Sequence, residues 1–421
     1  MANAYGFAQQ IKKDRVPDGY MTTEAGVLPV EWRAEKMSSL IRKLTQAAGE
    51  DIYETVSISA GKGFVNQAQK FGKELSGKQY EKYIVLHKGD FSYNKGNSTV
   101  YPQGCIYRLR DRESVAVPNV FESFSVEHGD PDYYEQLFIS GFLNKQLYSK
   151  INRGVRENGL LNLTGDDFYS CSVPVPPLPE QQKIAEVLLQ CDKVIELKLQ
   201  RIEAEHKKKR WLMENLLNPN GSVRLAGFSG GWNKSTVGSV AQMFSGGTPT
   251  SSNRAFYADA GILFIRSGEI AAAETELFLS QDGFDKSSAK MVYKGDLLYA
   301  LYGANSGECA ISKIDGAINQ AILCIRSNII NINFLYYALS YKKAQIVSTY
   351  LQGGQGNLSG EIVKNLSITF PNMDEQKAIC SVINAQDTVI EKLEMELTYY
   401  LQKKKALMQL LLTGIVRVNL Q

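Results

Sequence analysis

The sequence is poor in the residues that build covalent or metal-held scaffolds. Its 421 residues include six cysteines and three histidines, and no two cysteines form a C-x-x-C pair. This pattern argues against a disulfide framework and against a zinc site. No apolar run approaches the roughly 18 to 20 residues that span a bilayer, and the segment MANAYGFAQQIKKDR lacks the apolar core of a signal peptide. We therefore expect a cytoplasmic protein that does not contact a membrane.

The chain also has little net charge. A formal charge of +3 is too small to indicate an acidic or a basic partner, although local basic patches can still contact phosphates. Apolar residues make up 44% of the chain and charged residues 22%, which is ordinary for a globular protein. The length is sufficient for two or three domains, each with its own core.

Motifs for catalysis are missing or incomplete. Residues 72–79 have the spacing of a phosphate-binding loop, but Gln79 stands where Ser or Thr must bind magnesium. Residues 130–133 read Asp-Pro-Asp-Tyr, so Asp132 replaces the second proline of the motif that holds a flipped adenine. Gly61-Lys62-Gly63 lacks the third glycine of a dinucleotide-binding loop. We expect no catalytic site in this chain.

What the sequence does contain is an internal duplication. Asn162-Leu163-Thr164-Gly165 recurs as Asn357-Leu358-Ser359-Gly360, and the same offset of 195 residues places Glu180-Gln181 on Glu375-Gln376. Upstream, the two halves match at Trp32 and Trp232 and at two Lys-Gly-Asp turns, whereas the segments between these anchors differ. A repeat of this length predicts a common frame that carries two different inserts. The two turns, Gly89-Asp90 and Gly295-Asp296, are expected to lead into strands.

Two long helices are predicted at the matched segments 180–217 and 374–413. Neither contains Gly or Pro, Pro179 precedes the first, and Gly414 follows the second. Apolar residues spaced by seven predict a seam between the helices, formed by Leu188, Ile195, Ile202, Ile383, Ile390 and Leu397. The alternative is that each seam packs on its own globular domain. Basic runs near the helix ends, at 207–210 and 403–405, are candidates for contact with nucleic acid, but the favourable interaction of cations with the helix dipole would be enough to explain them.

The segments outside the helices mix short β-branched or aromatic runs with Gly, Asn and Asp turns. They predict mixed α and β domains, and the fold class is therefore α+β. We divide the chain into a first mixed domain (1–178), a first helix (179–219), a second mixed domain (220–372) and a second helix with the C-terminus (373–421).

Polar residues in both mixed domains are suited to nucleic acid. Cations contact phosphates, and amide and guanidinium groups read base edges, although a solvated loop surface would have a similar composition. The candidates in the first domain are Lys70, Lys73, Lys78, Tyr80, Lys82, Tyr93, Asn94, Lys95, Asn97, Arg108, Arg110, Arg153 and Arg156. Those in the second are Thr248, Ser251, Asn253, Arg254, Arg266, Asn305, Gln320, Gln352, Gln355 and Asn357.

The run Pro-Val-Pro-Pro-Leu-Pro-Glu-Gln-Gln-Lys-Ile-Ala at 174–185 resembles the specificity subunits of type I restriction-modification systems. Residues 372–379 repeat it in a degenerate form, and Gly246-Gly247-Thr248-Pro249 is similar to the opening of a recognition domain in that family. The resemblance implies two target recognition domains, each of which reads one half of a split site in double-stranded DNA. It also implies that the two helices pack as an antiparallel coiled coil, which sets the spacing of the half-sites.

The same resemblance implies that the chain recruits two methyltransferase subunits and two restriction subunits. The cofactors S-adenosylmethionine, ATP and Mg²⁺ would belong to those partners and not to this chain. Two other functions remain open from the residues. A stand-alone DNA-modifying enzyme would bind S-adenosylmethionine itself, and a helical protein scaffold would have no salt-dependent affinity for DNA.

Overall fold

The computed structural model describes residues 16–68, 77–96, 100–151, 161–351 and 357–420. The chain forms two compact units. Unit 1 comprises Met1–Lys198 with Glu396–Gln421, and unit 2 comprises Leu199–Met395. Two helices of 39 residues each, α5 (Leu178–Leu216) and α10 (Met373–Leu411), begin in one unit and end in the other. Both helices lie within two residues of the bounds predicted from the sequence.

Unit 1 contains short strands and short helices. The strands are β1 (Tyr20–Thr23), β2 (Gly26–Pro29), β3 (Arg33–Lys36), β4 (Ile41–Lys43), β5 (Val56–Ser59), β6 (Gly63–Asn66), β7 (Ile84–His87), β8 (Phe91–Asn94), β9 (Cys105–Arg108), β10 (Ser114–Val117), β11 (Glu122–Val126) and β12 (Ser172–Val175). The helices are α1 (Met37–Leu40), α2 (Pro131–Ile139), α3 (Asn144–Lys150) and α4 (Gly165–Tyr169).

Unit 2 likewise contains strands and helices. Its strands are β13 (Asn233–Thr236), β14 (Gln242–Ser245), β15 (Tyr257–Ala258), β16 (Ile262–Ile265), β17 (Phe278–Leu279), β18 (Lys290–Val292), β19 (Leu297–Ala300), β20 (Cys309–Ile311), β21 (Gly316–Ile318), β22 (Ile322–Arg326) and β23 (Ser367–Phe370). Its helices are α6 (Val237–Val240), α7 (Gln281–Asp285), α8 (Ile332–Leu351) and α9 (Gly360–Asn365).

Both units are organised around the same antiparallel sheet of four strands. The strand order is β4-β11-β8-β9 in unit 1 and β14-β22-β19-β20 in unit 2. We call each of these the central sheet. A further antiparallel pair joins the start and the end of each mixed domain, β3 with β12 and β13 with β23. The duplication in the sequence is therefore a duplication of this frame.

The remaining strands differ between the units. Unit 1 adds three separate pairs in its described residues, β1 with β2, β7 with β10 and β5 with β6, whereas unit 2 adds a sheet of five strands in the order β15-β17-β16-β21-β18. In that sheet, β16 and β21 are parallel and the other pairs are antiparallel. These are the segments in which the two halves of the sequence have little in common.

The start of one long helix and the end of the other lie in the core of each unit. In unit 1, Leu188 of α5 and Leu411 of α10 belong to the core that contains the stacked rings of Phe91 and Phe124. In unit 2, Ile383 of α10 and Leu216 of α5 occupy the corresponding core. Both interpretations of the helix seam therefore hold in part, because Leu188 and Ile383 pack against globular domains.

The two helices also pack against each other, and they do so antiparallel. In unit 1, Lys198 pairs with Glu396 and Lys404 with Asp192, so residue numbers rise along α5 as they fall along α10. In unit 2, Lys209 pairs with Asp387 in the same sense. Of the other predicted seam residues, Ile390 is buried, and three are partly exposed: Ile195, Ile202 and Leu397. These contacts confirm the predicted antiparallel pairing, and the strands and helices of both units confirm the α+β class.

None of the helices in the described ranges combines the length and apolarity needed to cross a membrane.

Candidate nucleic-acid interface

The Glu-Gln motif at the start of each long helix is a structural clamp, and its glutamine is buried. Gln181 Oε1 accepts a hydrogen bond from the backbone N–H of Asp130 at 2.8 Å, and its Nε2 donates to the carbonyl oxygen five residues earlier, also at 2.8 Å. Gln376 makes the same two bonds at the same lengths, with Asn331 in the place of Asp130. A buried amide with both ends bonded fixes the helix to its domain. The motif thus supports the frame.

The glutamate of the motif binds the segment that follows the other long helix. Glu180 accepts two hydrogen bonds from Arg417, at 2.6 and 2.8 Å, and one from Nε1 of Trp32 at 3.0 Å. Glu375 accepts two from Arg224, at 2.8 and 2.7 Å. Both carboxylates are buried, so each requires its arginine. The same clamp therefore closes each unit.

In each of the basic runs on the long helices, one lysine forms an ion pair with the opposite helix. Lys404 pairs with Asp192 at 2.5 Å in unit 1, and Lys209 pairs with Asp387 at 2.5 Å in unit 2. Lys209 and Lys404 are 195 residues apart, as are the two aspartates. The helix dipole is therefore not the full explanation of these runs, because one lysine of each holds the opposite helix.

Each central sheet has one end at which loops from distant parts of the chain meet, and we call it the loop end. In unit 2 it lies where β14 and β19 finish and β22 begins, with Ser245 beside Leu323 and Ala300 beside Ile322. In unit 1 it lies where β4 and β8 finish and β11 begins. The two loop ends are equivalent positions in the common frame.

Five segments converge at the loop end of unit 2. Leu301 N–H donates to the carbonyl of Ala321 at 2.8 Å, and Leu358 N–H donates to the carbonyl of Leu301 at 2.9 Å. A Cβ placed on Gly268 would lie 3.5 Å from Nδ2 of Asn305, which brings in the segment after β16. The fifth segment follows β14 and contains Thr248, whose side chain forms a hydrogen bond with that of Gln320. The structure thus gathers these predicted residues: Thr248, Arg266, Asn305, Gln320 and Asn357.

The arginine of this group is held by carboxylates. Arg266 donates to both oxygens of Glu269 at 3.0 Å and to Glu276 at 2.6 Å. The hydrogen bond from Arg266 lowers the pKa of Glu269, so this carboxylate is ionised at neutral pH. The guanidinium charge is locally outweighed, and the loop end of unit 2 presents mainly amide and hydroxyl groups. Ser251, Asn253 and Arg254 lie in the next exposed turn, which Asn253 caps by accepting from Ala255 N–H at 3.2 Å.

The loop end of unit 1 has a different chemistry. Lys95 follows β8, and its Nζ lies 3.0 Å from Glu122, which also pairs with Lys43 at 3.6 Å. Asn94 donates from Nδ2 to the carbonyl of Ile58 at 3.3 Å, which ties β8 to β5. Two lysines thus flank one carboxylate at this end, and Lys43 is the more exposed of the two.

Three predicted contacts of unit 1 have other roles. Tyr93 is a core residue, 1% exposed, whose ring stacks on Phe168 at 4.5 Å, so its assignment to DNA was wrong. Arg108 and Arg110 lie at the opposite end of the central sheet and pair with Asp132 and Glu135 of α2. The side chain of Arg108 is only 16% exposed. These arginines hold α2 on the sheet, away from the loop end, and their contact with DNA stays a prediction.

The other candidates of unit 1 are more dispersed. The Tyr80 hydroxyl accepts from Tyr53 N–H at 2.7 Å and donates to the carbonyl of Asp51 at 2.6 Å, whereas Lys82 is exposed. The side chain of Lys78 lies outside the described part of the chain. So do the remaining predicted residues of both units, which are Lys70, Lys73, Asn97, Arg153, Arg156, Gln352 and Gln355.

Sequence reasoning missed the acidic partners of the interface, Glu122, Glu269 and Glu276. No local signal marks them, because an acidic residue that holds a cation has the same pattern as one that faces solvent. Within the described segments, no group of three or more His, Cys, Asp or Glu side chains is arranged to hold a metal ion.

The chain is similar to known proteins along most of its length. The protein-family model for the type I restriction modification DNA specificity domain matches residues 39–205 and 229–403 of the sequence. A putative type I restriction enzyme MjaX specificity subunit of Methanocaldococcus jannaschii is 23% identical, over 96% of this chain and 97% of the relative. The MjaVIII specificity subunit of the same organism is 25% identical, over 67% of this chain and 70% of the relative.

Two solved structures have a similar fold. A chain from a type I R-M system studied for complex assembly and conformational transition has a TM-score of 0.60 and 15% identity, over 92% of this chain and 99% of that chain. The S subunit of a type I restriction-modification system from M. genitalium has a TM-score of 0.57 and 16% identity, over 93% and 99%. At such identities the likeness concerns the fold alone.

Proposed function

Since the chain belongs to the family of type I restriction-modification DNA specificity proteins, we propose that each unit reads one half of a split DNA target at its loop end. Members of this family supply DNA sequence specificity and are not catalytic themselves. The chain is accordingly the DNA-binding specificity subunit of a restriction-modification complex. We further propose that the DNA interface lies at the loop ends, that the target has two half-sites, and that each kind of partner subunit binds in two copies.

One observation carries the assignment of the interface to the loop ends. The two units have the same central sheet and the same clamps on the long helices, yet their loop ends differ in chemistry. Lys95 and Lys43 surround one carboxylate in unit 1, whereas Thr248 and Gln320 are hydrogen-bonded in unit 2. A constant frame with different loop ends suits recognition of two unlike sequences, because base edges are read by side chains on such loops. The target is therefore an asymmetric pair of half-sites.

The partners are two methyltransferase subunits and two restriction subunits. The repeated frame supports this number, because each unit offers an equivalent set of surfaces to one copy of a partner. The assembled complex would be an adenine-specific DNA methyltransferase and an ATP-dependent endonuclease in the cytoplasm. S-adenosylmethionine, ATP and Mg²⁺ would be bound by the partners.

Methylome sequencing tests this proposal. A host that expresses the partner methyltransferase is compared with and without this chain. We expect a bipartite, asymmetric modified motif only when the chain is present. Modification that does not depend on the chain, or a motif without two separated parts, would contradict the proposal.

Binding measurements on the purified full-length chain separate the competing functions. We expect affinity for duplex DNA that falls as salt rises and no binding of S-adenosylmethionine. Binding of S-adenosylmethionine would favour a stand-alone enzyme. Absence of DNA affinity at low salt would favour a protein scaffold.

A further inference from the structure

The segment Gly246–Pro249 is held rigidly at the loop end of unit 2. A Cβ on Gly246 would lie 1.8 Å from the carbonyl oxygen of Ile318, and one on Gly247 would lie 1.8 Å from Oγ of Ser288. Only glycine allows the backbone to approach this closely on both sides. Pro249 follows, and its carbonyl accepts from the Tyr257 hydroxyl at 3.0 Å. The backbone of Thr248 therefore has little freedom.

Gln320 stands on an equally well-anchored backbone. The side chain of its neighbour Asn319 accepts from Ala321 N–H at 3.0 Å, and the carbonyl of Ala321 accepts from Leu301 N–H at 2.8 Å. Thr248 Oγ1 donates to Oε1 of Gln320 at 2.6 Å, and both side chains are exposed. An exposed hydrogen bond between side chains adds little stability, because water competes for both groups. Its main effect is to orient the amide of Gln320.

The orientation leaves a specific set of groups for a ligand. Oε1 of Gln320 has one lone pair occupied by Thr248 and one that remains, and Nε2 has two N–H donors. Nε2 has no hydrogen-bond partner within the residues that the structure describes. A donor beside an acceptor matches the major-groove edge of adenine, which offers N7 as an acceptor and N6–H as a donor. The guanine edge offers two acceptors and matches less well.

We propose that Gln320 reads an adenine in the half-site of unit 2, with Thr248 as the residue that positions it. The inference rests on the proposed function. Glu269 and Glu276 outweigh the charge of Arg266 nearby, which favours contact with a base edge over contact with a phosphate. A restrained amide also loses less side-chain entropy when it binds.

Selection from a randomised duplex pool tests the proposal with the full-length chain and four proteins: wild type, Gln320→Ala, Thr248→Val and Thr248→Ser. We expect wild type to select a bipartite sequence, and Gln320→Ala to lose the preference for adenine at one position of one half-site. Thr248→Val is nearly isosteric but lacks the hydroxyl, so it should weaken that same preference. Thr248→Ser restores the donor and should restore the preference. The other half-site should be unchanged in all four.

Base analogues then test the contact itself. Replacing the selected adenine by 7-deazaadenine removes the N7 acceptor, and wild type should bind about tenfold more weakly. The Gln320→Ala protein should bind both duplexes equally, because the group that contacts N7 is already absent. A merely structural role of Gln320 would not produce this dependence on the analogue.

The outcomes are distinct. No bipartite selection by wild type would overturn the proposed function and this inference with it. Bipartite selection that Gln320→Ala leaves unchanged, or relaxes at a position other than adenine, would overturn the role of Gln320 alone. A Thr248→Val profile identical to wild type would overturn the positioning role of Thr248.

Discussion

Units 1 and 2 differ least where they hold the long helices and most where they meet the proposed DNA. Gln181 and Gln376 make the same two hydrogen bonds at the same lengths. The remaining strands, in contrast, form separate pairs in unit 1 and a sheet of five strands in unit 2, and the loop ends carry lysines in one unit and amides in the other. A frame of buried clamps can therefore remain constant while the loop ends change, because an exposed hydrogen bond such as that between Thr248 and Gln320 adds little stability.

The largest expected effect is a complete change of one half-site. Replacing residues 20–175 by the corresponding domain of another family member keeps β3 and β12 together and exchanges the loop end of unit 1. We expect affinity for the original first half-site to fall to the non-specific level, about 10³-fold or more, with the second half-site unchanged. Methylome sequencing measures both. A change in both half-sites would mean that the units do not read independently.

The next largest effect is a loss of stability when the clamp of either unit is weakened. Glu180→Gln weakens two bonds from Arg417 and one from Trp32, and Glu375→Gln weakens two bonds from Arg224. Allowing for the exposure of both arginines, we expect unfolding free energies to fall by about 2–3 and about 1–2 kcal/mol. Urea denaturation measures both.

The control for the clamps is Glu186→Gln, which removes an exposed carboxylate from the same helix and should change stability by less than about 0.5 kcal/mol. Equal losses at Glu180 and Glu375 would show that the Trp32 bond adds nothing.

A smaller effect concerns the ion pairs between the helices. Lys404→Met and Lys209→Met each remove one cross-helix pair from equivalent positions. We expect both to lower the unfolding free energy by about 1 kcal/mol, since the aspartates are partly exposed and solvent screens the pair. Lys405→Met, at an exposed neighbouring position, is the matched control and should have no measurable effect. Unequal losses would mean that the frame is less symmetric than its hydrogen bonds indicate.

The smallest effect concerns the charge at the loop end of unit 2. Glu276→Gln removes one of the two carboxylates that hold Arg266, so the guanidinium can contact a phosphate. Non-specific DNA affinity should rise about twofold to tenfold, with a salt slope steeper by up to about one unit. Glu274→Gln changes the net charge equally at an exposed position nearby and should have a weaker effect. Equal effects in the two variants would indicate a general charge effect rather than release of Arg266.

The frame was largely predictable, because its signals are local. The two long helices were predicted to within two residues, since an uninterrupted helical pattern bounded by Pro and Gly is easy to locate. The Gly-Asp turns were also confirmed. Gly89 and Gly295 have φ of 101° and 97°, and Asp90 and Asp296 each accept a backbone N–H three residues earlier at 2.7 Å.

The interface was less predictable, because a polar residue has the same local pattern whether it faces DNA, solvent or a buried partner. Tyr93 was assigned to DNA, yet it lies in the core, where burial raises the pKa of its hydroxyl. Arg108 and Arg110 were assigned for their charge, yet α2 supplies their carboxylates from more than 20 residues away. Their partners are remote in the chain, so composition could not identify them.

The sequence by itself determined the duplication, the two helices and the turns that lead into strands, because periodicity, helix boundaries and glycine positions act over a few residues. Only the tertiary structure decided which side chains share a loop end and which cations are neutralised. Thr248 and Gln320 are 72 residues apart in the chain, and Glu180 and Arg417 are 237 apart. Contacts at such separations depend on the pairing order of the strands and the antiparallel packing of the helices, which the local pattern does not specify.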